Sequence, residues 1–204
     1  MQSSNNYSFK VLLLSPYPDN IKKSIESYGD TVDVLNTKID NNLIKKNSYD
    51  FIISFGYKFI LEKKTIDAVN RSAINLHISY LPFNRGAHPN LWSNIENTIS
   101  GVTIHLLDEG IDTGNILFQK EIYIDEYLHS FKSSYDLLIS EIENLFKINW
   151  KYIRINKFNS MEQEGQGSFH YAHDFERVRP FLKKGWDTNI NELKSNFLKS
   201  NDSN

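Results

Sequence analysis

Two polar residues at alternate positions of an apolar stretch are the first candidates for chemistry. In INLHISYLPFNRGAHPNLWS, Asn75 and His77 are separated by one leucine, and a loop with two prolines, an arginine and a glycine follows. Alternate side chains of a strand share a face. An imidazole titrates near neutral pH, so this pair suits acid–base chemistry. A purely structural hydrogen-bonded pair is the alternative for either residue taken alone.

A second polar cluster lies about 30 residues further along, in LLDEGIDTGNI. It contains three carboxylates and two glycines: Asp108, Glu109, Gly110, Asp112 and Gly114. Taken alone, it is typical of an ordinary acidic turn. Taken with the first cluster, it adds a carboxylate to an amide and an imidazole, which is a possible acid–base constellation.

The elements around these residues predict an α/β fold. Apolar runs at 9–15, 31–36, 49–56 and 72–79 predict strands, and helical periodicity at 20–29, 42–47 and 62–70 predicts helices between them. Such alternation indicates a mostly parallel sheet with helices on both faces. Ligands bind at the carboxyl ends of the strands in such sheets. Asn75 and His77 are at such an end.

The second part of the chain predicts a helix at 89–97, with Pro89 in its first turn. Strands at 101–108 and 115–124 surround a short glycine-containing turn, which predicts an antiparallel hairpin added to the sheet. A long amphipathic helix is predicted at 133–156. Its apolar stripe comprises Tyr135, Leu138, Ile139, Ile142, Leu145, Phe146, Trp150 and Ile153. Short helices are predicted near 174–183 and 189–199, in a C-terminal appendage.

Composition limits the possible partners. The 204 residues include 40% hydrophobic residues and no cysteine, which excludes disulfides and thiolate metal sites. The formal net charge is −2, and no clustered basic surface for nucleic acid is visible. The apolar run Val11–Leu14 is too short for a signal peptide or a membrane span, so a cytoplasmic protein is expected. His170 and His173 lack partners at metal-ligand spacing, so no metal is predicted.

The sequence NLHISYLPFNRG, followed by DEGIDTGNIL, resembles the folate-dependent formyltransferase family. The residues that match its motifs are Asn75, His77, Ser79, Leu81, Pro82, Asp112 and Gly114. The resemblance implies a Rossmann-like catalytic domain at 9–155 and 10-formyltetrahydrofolate as formyl donor. Residues 156–204 are then a C-terminal extension that packs on this domain or at a dimer interface.

The resemblance also implies a role for each site residue. Asn75, His77 and Asp112 are the expected catalytic trio, which stabilises an oxyanion and moves the proton of the attacking amine. The residues expected near the folate are Phe55, Gly56, Tyr57, Ile60, Leu61, Asp108 and Gly110. For Phe59, Ile60 and Leu61, core packing is the alternative. The residues expected near the substrate are Ser79, Tyr80, Pro82, Phe83, Asn84, Arg85, Gly86, Asn90 and Trp92.

Three branches of this family compete. The methionyl-tRNA branch is disfavoured by the scattered basic residues and by a chain that ends about 50 residues after the long helix. The glycinamide ribonucleotide branch is disfavoured because SPYPDNIKK lacks its phosphate-binding glycine. The loop SYLPFNRGAHPNLWS most resembles the branch that formylates nucleotide-linked amino deoxysugars for surface polysaccharide such as O-antigen.

That branch implies a homodimer acting on a nucleotide-sugar substrate, with neither nucleic acid nor membrane as partner. Two hypotheses of other classes stay open. One is a formyltetrahydrofolate hydrolase that uses water as the attacking group. The other is an inactive folate-binding module.

Overall fold

The computed structural model describes residues 7–201, apart from the side chains of residues 41, 42, 45 and 201. Residues 202–204 of the predicted extension lie outside this range. The strands are β1 Lys10–Leu14, β2 Thr31–Leu35, β3 Phe51–Phe55, β4 Ser72–His77, β5 Arg85–Gly86, β6 Gly101–Leu106, β7 Ile116–Glu121, β8 Phe169–His170 and β9 Lys183–Trp186. The α-helices are α1 Asp19–Glu26, α2 Asn41–Asn47, α3 Lys63–Ile66, α4 Pro89–Ile95, α5 Phe131–Ile153 and α6 Ile190–Asn201.

A six-stranded sheet has the order β2-β1-β3-β4-β6-β7. The pairs β1–β2, β1–β3 and β3–β4 are parallel. The Leu107 N–H donates to the Ala73 carbonyl (2.9 Å). Leu106 N–H donates to the Asn115 carbonyl (2.9 Å), and Ile122 N–H to the Ser100 carbonyl (2.9 Å). The partner number falls from 122 to 115 as the residue number along β6 rises from 100 to 106, so β6 and β7 pair with each other in antiparallel fashion. The predicted α/β class and antiparallel hairpin are therefore confirmed.

The burial of the strands explains why they form the centre of the sheet. All five residues of β3 are buried, as are four of the five in β1. Runs that are apolar on both faces are typical of parallel strands covered by helices. The edge strand β2 is largely exposed by contrast. The parallel strands β1, β3 and β4 all end at one edge, where residues Leu14, Phe55 and His77 lie.

Contacts divide the chain into two compact units. The first comprises residues up to His77, Ile104–Phe118 and Glu143–Glu162. The second comprises Ile78–Thr103, Gln119–Ile142 and the residues from Gln163 onward. In the first unit, Leu12, Leu14, Ile44, Tyr49, Ile52, Leu61 and Ala73 form one apolar cluster. In the second, Leu91, Trp92, Ile95, Phe131, Val178, Ile190, Leu193 and Phe197 form another, so α6 packs against α4.

The prediction of a helix near 174–183 is wrong. The structure has two short 3-10 turns there, Ala172–Arg177 and Arg179–Phe181, followed by β9. Pro180 has no N–H to donate to a preceding turn, and its ring disfavours α conformation at Arg179. An α-helix that continues through Arg179 and Pro180 is therefore disfavoured.

Within residues 7–201, the structure contains no helix that is both long enough and apolar enough to cross a bilayer.

Candidate active site

Asn75 and His77 lie on one face of β4, at the edge where the parallel strands end. Asn75 is opposite Ser54 of β3 in the parallel register. His77 is the last residue of β4 and is only 8% exposed. Both side chains thus leave the sheet beside one another, as the alternation predicts.

Asp112 lies in the β6–β7 loop and approaches the same edge. Its Oδ1 accepts a hydrogen bond from the Asn75 amide Nδ2 (3.0 Å) and lies 3.7 Å from His77 Nδ1. The carboxylate side chain is 12% exposed. A nearby negative charge favours the protonated form of an imidazole. The structure therefore brings the predicted amide, imidazole and carboxylate together.

The shape of this loop is fixed by its own residues. Asp108 Oδ1 accepts hydrogen bonds from the Gly110 N–H (3.0 Å) and the Thr113 hydroxyl (2.7 Å). A Cβ at Gly114 would lie 1.9 Å from the Leu106 carbonyl oxygen, so only glycine permits this approach. Asp108 and Gly110 thus take part in the turn that carries Asp112.

His105 completes the cluster, and the sequence analysis did not identify it. It lies on β6, is 1% exposed, and its Nε2 is 3.2 Å from Asn75 Nδ2 and 3.4 Å from Asp112 Oδ1. Its Nδ1 is 2.8 Å from the Leu106 carbonyl oxygen, which can only accept. In the neutral ring, Nδ1 therefore carries the proton and Nε2 accepts from Asn75.

Five of the residues expected near the folate lie at the end of β3 or just after it. Phe55 is buried, and its ring meets Tyr17 edge to face. Gly56 has a left-handed φ of 64°. Burial raises the pKa of Tyr57, whose hydroxyl donates to the Thr37 carbonyl (2.7 Å). Two further members of this set differ in exposure, since Ile60 is 72% exposed and Leu61 is buried in the core.

The first residues of the loop after β4 are held by local hydrogen bonds. The Ser79 hydroxyl donates to the Phe83 carbonyl, and the Phe83 N–H donates to the Tyr80 carbonyl (3.1 Å). The peptide bond before Pro82 is cis. Tyr80 and Phe83 are half-buried.

The later members of the predicted substrate set have partners inside the second unit. The Asn84 amide donates to Thr98 Oγ1 (2.7 Å). The Asn90 amide donates to the Phe131 carbonyl (2.9 Å). Both asparagines are buried.

Trp92 is also buried, and its ring stacks on His170 with 4.2 Å between ring centroids. His170 Nε2 lies 3.2 Å from Glu96 Oε1, whereas the His173 side chain is 78% exposed. Among the described residues, no group of three or more potential ligands could hold a metal ion.

Arg85 and Gly86 form β5, which pairs in parallel with β8. The Arg85 guanidinium donates through Nε (3.0 Å) and Nη2 (2.7 Å) to the side-chain oxygen of Gln163. Gln163 is a second residue that sequence reasoning missed, because nothing in its local sequence indicates a partner 78 positions away.

A family model described as formyl transferase matches residues 22–140, more than half of the chain. Among solved structures, the chain resembles the formyltransferase PseJ from Anoxybacillus kamchatkensis. That structure is a complex with UDP-4,6-dideoxy-4-formamido-L-AltNAc and tetrahydrofolate. The sequence identity is 41% and the TM-score 0.85, over 90% of this chain and 97% of the other.

Two curated relatives match shorter stretches. The dTDP-4-amino-4,6-dideoxyglucose formyltransferase of Mycobacterium tuberculosis is 31% identical over 131 residues, 64% of this chain and 55% of the relative. The methionyl-tRNA formyltransferase of Thermodesulfovibrio yellowstonii is 45% identical over 91 residues, 43% of this chain and 30% of the relative. The chain thus spans less than two thirds of the length of either relative.

Proposed function

This chain belongs to the formyl transferase family, and from that premise we propose a folate-dependent N-formyltransferase that acts on a nucleotide-linked amino deoxysugar. The formyl donor is 10-formyltetrahydrofolate. The observation that carries the proposal is the likeness, over 90% of the chain, to a formyltransferase bound to a UDP-linked formamido sugar and tetrahydrofolate. On that likeness, the acceptor is a sugar with a free amino group at position 4.

The residues at the strand ends fit a formyl donor. An amide, an imidazole and a carboxylate stand together there. The segment that follows the neighbouring strand β3 contains Gly56 and the exposed apolar side chain of Ile60, which suit a flat ring. The residues that hold the folate are then Phe55, Gly56, Tyr57, Ile60 and Leu61, with the loop of Asp108 and Gly110. When bound, 10-formyltetrahydrofolate supplies an activated formyl group.

Asn75 is the residue that stabilises developing negative charge on the formyl oxygen. Its amide lies at the strand end, where the sheet fixes its position. An amide N–H held in place before the reaction costs no reorganisation when charge develops. The Asn75 Nδ2 group faces Asp112 and His105, and one of these contacts gives way when Asn75 donates to the formyl oxygen.

His77 and Asp112 move the proton. With Asp112 Oδ1 at 3.7 Å from Nδ1, the favoured neutral form of His77 has its proton on Nδ1 and its lone pair on Nε2. Nε2 takes the proton that the substrate amine loses as its nitrogen bonds to the formyl carbon. The same atom returns that proton to the departing folate nitrogen. Asp112 stabilises the imidazolium between the two transfers.

The loop that follows β4 recognises the acceptor. Tyr80 and Phe83 are half-buried and can cover apolar sugar faces. Arg85 is suited to phosphate, because a guanidinium matches phosphate geometry. Ser79, Pro82, Asn84, Gly86, Asn90 and Trp92 shape this loop and its neighbourhood.

A second acceptor, methionyl-tRNA, is favoured by one observation. The identity to a methionyl-tRNA formyltransferase reaches 45%, although over 91 residues only. The transfer assay therefore includes this acceptor.

The likeness to a sugar formyltransferase also suggests where the enzyme acts, its oligomeric state and the use of its product. We propose a cytoplasmic homodimer that supplies a formamido sugar for surface polysaccharide such as O-antigen. The support is the likeness to sugar N-formyltransferases. Light scattering on the purified protein measures its oligomeric state.

The decisive experiment is a transfer assay with 10-formyltetrahydrofolate and four acceptors. These are UDP- and dTDP-linked 4-amino deoxysugars, glycinamide ribonucleotide and methionyl-tRNA. We expect one sugar to gain the mass of a formyl group, and His77→Ala to abolish the gain. Transfer to methionyl-tRNA alone would reassign the substrate. Free formate with every acceptor would indicate the hydrolase, and folate binding without turnover the inactive module.

A further inference from the structure

Arg85 is held in place by a segment far along the chain. The Arg85 N–H donates to the Ser168 carbonyl (3.0 Å), and the Ala87 N–H donates to the His170 carbonyl (2.9 Å). A Cβ at Gly86 would lie 2.4 Å from the His170 carbonyl oxygen, so the two backbones approach closely there. The backbone at Arg85 is thus fixed independently of its side chain.

The Arg85 side chain has a neutral partner. The Gln163 side-chain oxygen accepts from both Nε (3.0 Å) and Nη2 (2.7 Å) of the guanidinium. These two bonds occupy two of the five N–H donors of an arginine. They fix the plane of the guanidinium without cancelling its charge.

Carboxylates flank this glutamine in sequence, yet the amide is the group that contacts Arg85. Glu162 and Glu164 are both exposed. Within residues 7–201, Arg85 forms no ion pair with a carboxylate. A glutamate at 163 would make the same two hydrogen bonds more strongly, since charge-assisted bonds are about twice as strong as neutral ones. A glutamine holds the arginine in place and does not compensate its positive charge.

From this arrangement we infer that Gln163 is a positioning residue that presents the Arg85 guanidinium, with its full charge, to the diphosphate of the nucleotide sugar. The inference rests on the proposed function and names the part of the acceptor that this pair recognises. The charge of the side chain at position 163 distinguishes this role from simple anchoring of the loop. An anchor would work as well or better with a carboxylate, whereas a diphosphate site would be weakened by one.

The test compares three single variants in the full chain. Gln163→Glu keeps the shape and both hydrogen bonds but adds a negative charge against Arg85. Gln163→Ala removes the anchor and leaves the charge of Arg85 unchanged. Gln166→Glu is the matched control, because it adds the same charge three positions away on an exposed side chain. The measurements are calorimetric binding of UDP, KM and kcat for the amino sugar, folate affinity, and Tm.

We expect Gln163→Glu to weaken UDP binding about ten- to hundredfold, as for loss of a hydrogen bond to a charged group. KM for the nucleotide sugar should rise in parallel, while kcat, folate affinity and Tm stay near the wild-type values. Gln163→Ala should weaken UDP binding less, and Gln166→Glu by no more than about twofold, as expected of an exposed charge.

Three outcomes would overturn the inference. One is unchanged UDP affinity in Gln163→Glu, especially with a lowered Tm in Gln163→Ala, which would show a loop anchor. Another is an equal loss in Gln166→Glu, which would show a general charge effect. The third is a wild-type protein that does not bind UDP. Because UDP binding is measured without turnover, absence of formyl transfer would count against the proposed function and leave this inference standing.

Discussion

The Asn75 amide and the Asp112 carboxylate are joined by a 3.0 Å hydrogen bond between β4 and the β6–β7 loop. The accepting atom, Oδ1, also lies 3.4 Å from His105 Nε2 and 3.7 Å from His77 Nδ1. One oxygen therefore orients an amide and faces two imidazoles. We therefore expect that changes at this atom impair the activity more than they impair folding.

The charge of Asp112 is tested by Asp112→Asn. Asparagine has the same shape and tolerates the left-handed φ of 54° at this position. The variant should keep the fold but lose the charge that stabilises protonated His77. We expect kcat to fall about 10²- to 10⁴-fold, the usual contribution of acid–base catalysis. Steady-state transfer kinetics, with circular dichroism to monitor folding, measure this.

The control for this variant is Asp108→Asn, in the same loop. Asp108 accepts hydrogen bonds from Gly110 and Thr113, and the amide oxygen of asparagine is a weaker acceptor than a carboxylate, so the variant should loosen the loop. It should change kcat much less than Asp112→Asn does. Equal losses of kcat in the two variants would mean that the loop shape, rather than the Asp112 charge, limits the reaction.

His105 is expected to act by holding Asn75. His105→Phe retains an aromatic ring on β6 but removes both ring nitrogens. The Asn75 amide and the Leu106 carbonyl then each lose a buried partner, which should cost about 1–3 kcal/mol of unfolding free energy for each group. Urea unfolding measures this loss. His105→Gln, which retains a hydrogen-bonding group, should lose less stability. If His105→Phe is as stable as the wild type, the ring nitrogens contribute nothing to stability.

Much of the fold and part of the site could be predicted from local sequence. Apolar runs and their spacing predict the sheet, and the alternation of Asn75 and His77 predicts a shared face. His105 could not be identified in this way. A single histidine within GVTIHL is as typical of a hydrogen-bonded core residue as of a site residue. Its neighbour Asn75 is 30 positions away in the sequence. Only the register of β4 against β6 brings the two together.

The loop after β4 shows the same limit. Asn84 and Asn90 are polar residues beside aromatic ones, which suggests ligand contacts. Their partners, Thr98 and Phe131, become neighbours only through tertiary folding. The 3-10 turns at 172–181 are a different case, because Pro180 is a local signal against the predicted helix.

Gly114 should be essential because there is no space for a side chain at this position. The Cβ of Gly114→Ala would meet the Leu106 carbonyl oxygen at 1.9 Å, so the loop must move. We expect lower stability together with lower kcat, because Asp112 is displaced. Gly165→Ala is the control, since a Cβ there meets nothing within 4 Å, although its φ is left-handed. If Gly114→Ala loses no more activity than Gly165→Ala, the loop tolerates the displacement.

Removal of one partner of the buried Asp30–Arg154 ion pair should strongly destabilise the first unit. Arg154 Nη2 donates to Asp30 Oδ1 (2.7 Å), and Trp150 Nε1 and Phe9 N–H donate to the same carboxylate. Arg154→Met should cost about 3–5 kcal/mol of unfolding free energy, because it leaves a buried carboxylate unpaired. Chemical denaturation measures this. An exposed pair gives the comparison, since Lys132→Met, which breaks the contact with Asp136, should cost far less than Arg154→Met.

His88 should make the protein less stable in acid. Its ring stacks on Phe175 (4.7 Å) and Trp186 (5.8 Å), and burial lowers its pKa. As the pH falls through the ordinary histidine pKa near 6.5, His88 binds a proton in the unfolded chain but not yet in the folded protein. The free energy of unfolding therefore decreases as the pH is lowered. His88→Asn tolerates the left-handed φ of 55° and does not titrate. We therefore expect Tm to fall more between pH 7.5 and pH 5.5 in the wild type than in this variant. The other five histidines are common to both proteins, so equal falls would mean that burial of His88 has no effect on acid stability.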